Sequence, residues 1–138
     1  MANGIPADTR LPHRQVRMAS LAISIVLCVY WVVLFYGTHM TLAPGTLPGN
    51  SDKYIHCTSY GVLGVLLMSL RANRGAFPWT SAFGRWLCLA AYGAFDEWTQ
   101  TFVNRTADFH DWCADVIGAA FGIGFVAFAS WLIRCRSK

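Results

Sequence analysis

Five of the seven acidic residues in the chain fall between Tyr92 and Asp115: Asp96, Glu97, Asp108, Asp111 and Asp115. Gln100, Arg105 and His110 lie in the same stretch. Carboxylates in such density suit metal binding. Hard divalent cations take carboxylate oxygens, and a histidine in the set favours zinc or manganese. A cation held in this way could polarise a phosphate or carbonyl, or activate water. Asp96, Glu97, Asp111 and Asp115 are the candidate ligands for a divalent metal. His56, upstream, is the natural general acid–base, since imidazole titrates near neutrality and Asp52 and Asp96 could orient it. His56, Asp96, Glu97 and Asp111 form the candidate catalytic set. Lys53 and Arg105 could clamp a phosphate or carboxylate, and with Tyr60 and Gln100 they make a candidate substrate-binding set. The competing reading is structural. In it Lys53 and Arg105 neutralise some carboxylates, the others accept hydrogen bonds or protonate, and the network joins helices.

The rest of the chain is apolar, and it must position these groups. At 138 residues there is room for one domain, spanning 1–138. Hydrophobic residues make up 55% and charged ones only 13%, against roughly 25% charged in soluble domains. A helix crossing a hydrocarbon core needs about 20 largely apolar residues, and four segments qualify. They run at about 16–36, 52–70, 82–103 and 110–133. The expected fold class is therefore all-α, an integral membrane bundle of four transmembrane helices, with the lipid bilayer as its first partner. Arg14 and Arg17 precede the first segment, as in a signal peptide. The run is longer than a signal core and ends in Trp31, Phe35 and Tyr36 instead of a small-residue cleavage site, so it reads as a retained helix. Residues 1–16 read as a polar tail. Gly37 to Ser51 and Arg71 to Trp79 read as loops from their Gly and Pro content, with His39 and His110 as solvated loop residues. Tyr30, Trp31, Tyr36, Trp98 and Trp112 fit anchoring at membrane interfaces.

Charge sets the orientation. Nine of the 11 basic residues lie in the tail, the middle loop, the start of segment three and the C-terminus, leaving only Lys53 and Arg105 on the other side. Cytoplasmic flanks carry the excess of Lys and Arg, so both termini are expected in the cytoplasm. The acidic cluster is then extracytoplasmic. The net charge of +4 forms no basic stripe with interleaved aromatics, which argues against nucleic acid. The five cysteines contain no CxxC pair and sit mostly in apolar segments, as small buried packing residues would.

Helical spacing sharpens the cluster, because residues four apart share a face. Asp52, His56 and Tyr60 form one row. Tyr92, Asp96 and Gln100 form a second. Asp111 and Asp115 begin a third, which continues into Gly118 and Gly122. That GxxxG admits close approach of a neighbouring helix, within the chain or in a homo-oligomer. Segments two and four end in the apolar runs GVLLMSL and FVAFASW, which disfavours a proton- or ion-coupled transporter.

The series DKYIH with Tyr60, then YGAFDEWTQTFVNR, then D-x-x-x-D leading into VIGAAFG, resembles the VanZ-like membrane protein family from about Asp52 to Gly122. The resemblance implies recurring polar positions at Asp52, Lys53, His56, Tyr60, Asp96, Glu97, Gln100, Arg105 and Asp111. Two positions depart from the family pattern. Val103-Asn104-Arg105 stands in place of a Pro-Gly-Arg turn, and Asp115 in place of an asparagine. VanZ itself is associated with resistance to the glycopeptide teicoplanin, whose target lies on the outer face of the membrane. The resemblance thus implies a role at the cell envelope. The expected function is an outer-face polar site that binds, and could modify, an anionic envelope lipid or cell-wall precursor. The other reading is a non-enzymatic accessory protein affecting the envelope or glycopeptide susceptibility.

Overall fold

A computed structural model describes residues 13–40, 51–72, 79–103 and 105–136. They form four helices: α1 (His13–His39), α2 (Ser51–Ala72), α3 (Trp79–Gln100) and α4 (Phe109–Arg136), with a 3₁₀ turn at Thr101–Val103 after α3. The tail before His13, most of both expected loops and Asn104 lie outside the described residues. Each helix approximates its expected span, with one consequential difference. The first does not stop at Tyr36 but runs on through Gly37, Thr38 and His39. Thr38 Oγ1 lies 3.0 Å and His39 Nδ1 2.7 Å from the Phe35 carbonyl oxygen. Both are back-bonds from side chains three and four residues on to a carbonyl of the preceding turn.

The helices run up, down, up and down. The end of α1 meets the end of α3 through Thr38 and Asp96, while α2 and α4 start side by side through His56 and Asp115. Helices α2 and α4 form the tightest pair, and the cause is visible in the sequence. A side chain at Gly118 would collide with the Cys57 carbonyl, and one at Gly122 with the Gly61 carbonyl. Only glycine lets these backbones touch, so the GxxxG is used between two helices of one chain. Around this seam lie Tyr60, Leu63, Met68, Leu89, Ala119 and Ile123, all buried. Further ties cross between helices. Tyr30 donates to the Ser59 carbonyl at 3.1 Å, Trp86 to Val116 at 3.1 Å and Trp112 to Ala90 at 3.0 Å. Trp31 packs edge-on against Tyr92 with centroids 4.9 Å apart. Tyr30, Trp31 and Trp112 therefore join helices together, whereas Tyr36 and Trp98 are exposed as expected of an aromatic rim.

Polarity is arranged inside out. Buried polar groups include His56, Asp96, Glu97, Gln100, Asp111 and Asp115. The exterior carries Ile25, Val29 and Val33 on α1, Phe83 and Leu87 on α3, and Phe121, Phe125 and Phe128 on α4. In water such a surface would be an aggregation liability; in lipid it faces its own kind. Helices α1, α2 and α4 are each long and apolar enough to cross a membrane. Helix α3 is not among them, because Arg85, Asp96, Glu97 and Gln100 dilute its apolar face. The cysteines correct one expectation. All five are free, but Cys28, Cys88 and Cys135 are exposed, and Cys57 and Cys113 only half-buried. An apolar residue in a lipid-facing helix need not point inward, so the soluble-protein rule does not transfer.

Candidate functional site

The ionisable residues gather where α1 and α3 end and α2 and α4 begin. Asp108 organises the entry to α4. Its backbone carbonyl accepts from the N–H groups of Asp111 (3.0 Å) and Trp112 (3.2 Å). Its carboxylate accepts from the backbone N–H of His110 at 2.8 Å, the geometry of an N-cap. That N–H, with Lys53 and the His110 ring, holds the Asp108 carboxyl well below the usual carboxylate range.

Lys53 reaches across from the first turn of α2. Its ammonium donates to Asp111 Oδ1 at 2.9 Å and to Asp108 Oδ2 at 3.1 Å. One turn deeper, His56 Nδ1 lies 2.9 Å from Asp115 Oδ1, the exposures being 2% and 0%. On the other side of the ring, Nε2 is 4.0 Å from Asp52 Oδ1. His56 is thus oriented by Asp115 and Asp52, not by Asp96. A further turn down, Tyr60 is wholly buried and its hydroxyl has no hydrogen-bond partner among the described residues.

Asp96 belongs to a separate knot. It accepts from the Thr38 hydroxyl at 3.1 Å and from the Gln100 amide at 3.2 Å. His39 Nδ1 stands 3.7 Å from it, and His39 Nε2 is 3.0 Å from the Thr99 hydroxyl. His39 is a half-buried helix residue that ties α1 to α3, correcting its expected place in a solvated loop. Glu97 turns the other way. Its Oε2 accepts from the Asp108 backbone N–H at 2.8 Å, whereas Oε1 has no partner among the described residues. Arg105 closes the rim, donating to the Thr38 carbonyl and lying 3.5 Å from Asp52 Oδ2. His110 is exposed, as expected, at the rim.

The three helical rows therefore converge, and Lys53, Glu97 and Arg105, which lie outside the rows, join them at the same end of the bundle. They do not make one undivided cluster. Two groups of possible ligands have donor atoms within 4.8 Å of one another: His56, Glu97 and Asp115, and Asp52, His56 and Asp111. Asp96 is in neither. Tyr60 and Gln100 lie inside the bundle, Lys53 and Arg105 at its rim. Thr38, His39 and Thr99 had not been anticipated. Their signal was modest: two polar residues, Thr38 and His39, close an otherwise apolar run at the level of the acidic rim.

No curated protein and no solved structure matches the chain. A family model does, over residues 18–132, and its description is VanZ/LLP1. That match takes in all four helices and every residue of the polar site, so this multi-pass membrane protein belongs to the VanZ/LLP1 family.

Proposed function

We propose that all four helices cross the membrane, that both termini are cytoplasmic, and that the extracytoplasmic polar end binds the anionic head group of an envelope lipid or cell-wall precursor. The observation that carries this reading is the division of charge between the bundle's ends. Arg14 and Arg17 start α1, Arg71 ends α2, and Arg134 and Arg136 end α4. Among the described residues, the six carboxylates, His56, Lys53 and Arg105 sit at the opposite end. By the positive-inside rule the arginine end faces the cytoplasm. Helix α3 completes the fourth span by burying its polar face against its neighbours while Phe83, Leu87, Phe95 and Trp98 face outward.

Lys53 and Arg105 are the contacts for a phosphate-bearing head group. Both sit at the rim, 37% and 24% exposed. An ammonium has three donors, and Lys53 directs two of them at Asp108 and Asp111. His56, with a carboxylate toward each ring nitrogen, takes the acid–base role in any chemistry at the site. Asp96, Glu97 and Asp111 complete that catalytic proposal.

The test is lipid retention by the purified protein, read by native mass spectrometry. Phosphatidylglycerol and a polyprenyl pyrophosphate are offered separately against phosphatidylcholine. Retention of either anionic lipid, lost in Lys53→Ala and Arg105→Ala, supports the reading and identifies the source. Equal retention of all three lipids overturns it. A second reading, an accessory protein whose polar residues only hold helices together, is favoured by the ties Thr38–Asp96, Lys53–Asp111 and His56–Asp115, the first joining α1 to α3 and the others α2 to α4. It gains if lipid discrimination is absent while these substitutions unfold the bundle.

A further inference from the structure

We propose that His56, Glu97 and Asp115 bind a single divalent ion of the zinc or manganese type, with Tyr60 beside it. The three come from different helices, and all are buried, at 2%, 6% and 0% exposure. One ligand atom from each lies within 4.8 Å of the others. Ligands at about 2.0–2.2 Å from zinc stand roughly 3–3.5 Å apart, so side-chain adjustment closes the set around an ion.

The carboxylates are presented in a way that a merely structural network does not require. Glu97 is anchored through Oε2 by the Asp108 N–H, while Asp115 Oδ1 faces His56 Nδ1, a contact that the ion would replace. The second oxygen of each, Glu97 Oε1 and Asp115 Oδ2, is buried without a hydrogen-bond partner among the described residues. So is the hydroxyl of Tyr60, fully enclosed and facing the charges of Asp115, Asp96 and Glu97. Buried acceptors left unpaired are costly, and a cation satisfies them together. Native ligands are held by outer hydrogen bonds in this manner. Asp52 Oδ1, 4.0 Å from the far ring nitrogen of His56, is placed to approach the imidazole from outside the ion.

Donor chemistry selects the ion. One imidazole with two carboxylates suits zinc or manganese better than calcium, which takes six to eight oxygens. The ion and its two carboxylates sum to zero charge, and its entry releases to solvent the proton shared by His56 and Asp115. The alternative group of Asp52, His56 and Asp111 is the weaker site. Lys53 already neutralises Asp111, and Arg105 stands beside Asp52. The inference rests on the head-group reading for its purpose only. Six carboxylates face Lys53 and Arg105 at this end, and a buried cation supplies positive charge that an anionic ligand needs.

The experiment uses the full-length protein in detergent, stripped with chelator and titrated with Zn²⁺ or Mn²⁺ alone, without lipid. The expected result is one equivalent retained after desalting, with at least a tenfold loss of affinity in Glu97→Gln and Asp115→Asn and no change in Asp96→Asn. Less than a tenth of an equivalent in the wild type overturns the proposal, as does undiminished binding in both variants. Should those variants misfold, pulsed electron paramagnetic resonance of Mn²⁺ in the wild type decides. Nitrogen modulation from a single imidazole supports the site, and its absence overturns it. Metal uptake without lipid discrimination would leave this site standing and remove the head-group reading. Chelator-insensitive lipid discrimination by a metal-free protein would do the reverse.

Discussion

His56 Nδ1 and Asp115 Oδ1 are 2.9 Å apart in a place that solvent does not reach. The link joins α2 to α4 directly above the glycine seam, so it connects the polar site to the packing that builds it. The two substitutions at Asp115 should differ. Asp115→Ala leaves the imidazole unpaired, and losing one member of a buried pair costs about 3–5 kcal/mol. Asp115→Asn keeps an oxygen for the Nδ1–H and should lose much less. Thermal unfolding in detergent checks this, with Asp115→Ala expected to melt well below Asp115→Asn and the wild type. Equal melting of the two variants would mean that the hydrogen bond contributes nothing.

Much of this arrangement was legible in the sequence. The i,i+4 rows Asp52–His56–Tyr60, Tyr92–Asp96–Gln100 and Asp111–Asp115 place their polar members at one end of the bundle, because a helix fixes which residues share a face. Pairing was not legible. Spacing along one helix cannot say which carboxylate across the bundle a cation meets. So Asp52 and Asp96 are the expected neighbours of His56, whereas the structure sets Asp115 on Nδ1 and gives Asp96 to Thr38 and Gln100. The contribution of α1 was hidden by Gly37, whose turn propensity argued for a loop. Tertiary contacts of Thr38 and His39 carry the helix past it.

Lys53 separates the effects of a buried and an exposed acid. It bridges Asp111, whose side chain is 7% exposed, and Asp108, at 40%. Lys53→Ala strands a buried charge at Asp111 and an already hydrated one at Asp108. Lys53→Ala should therefore destabilise the bundle, and adding Asp111→Asn should restore most of the loss. Adding Asp108→Asn should not. A double-mutant cycle on melting temperature measures the difference.

Asp108 should govern an acid limb of stability. Its carboxyl is held well below the usual carboxylate range by the His110 N–H, Lys53 and the His110 ring. A group whose pKa is lowered by folding stabilises fully above its unfolded value, and that contribution fades as pH falls toward the folded value. Melting temperature should be insensitive to this group above about pH 5 and should decline below about pH 4. Asp108→Asn should flatten that decline and lower the plateau. An unchanged acid limb in the variant would assign the decline to other carboxylates.

Gly118 offers a test of the seam. Any side chain there meets the Cys57 backbone, which cannot move as a flexible side chain would. Gly118→Leu should cost at least the roughly 1–3 kcal/mol typical of overpacking and reduce the yield of monodisperse protein. Gly124 has open space around its missing side chain, so Gly124→Leu should be tolerated. Comparable loss in both would mean that the close α2–α4 approach is not the cause.

Orientation can be read in intact cells. Thr106, in the connection between α3 and α4, and Arg136, at the last turn of α4, are both exposed, and they mark opposite ends of the bundle. In a background with the five native cysteines replaced by alanine, Thr106→Cys should react with a membrane-impermeant maleimide added outside. Arg136→Cys should react only after the membrane is permeabilised. This follows because Arg14, Arg17, Arg71, Arg85 and Arg134 lie toward the end that carries Arg136, and such flanks are expected in the cytoplasm. The reverse labelling pattern would put the polar site in the cytoplasm and remove the outer leaflet as the source of its ligand. Labelling of both sites from outside would mean that α4 does not span.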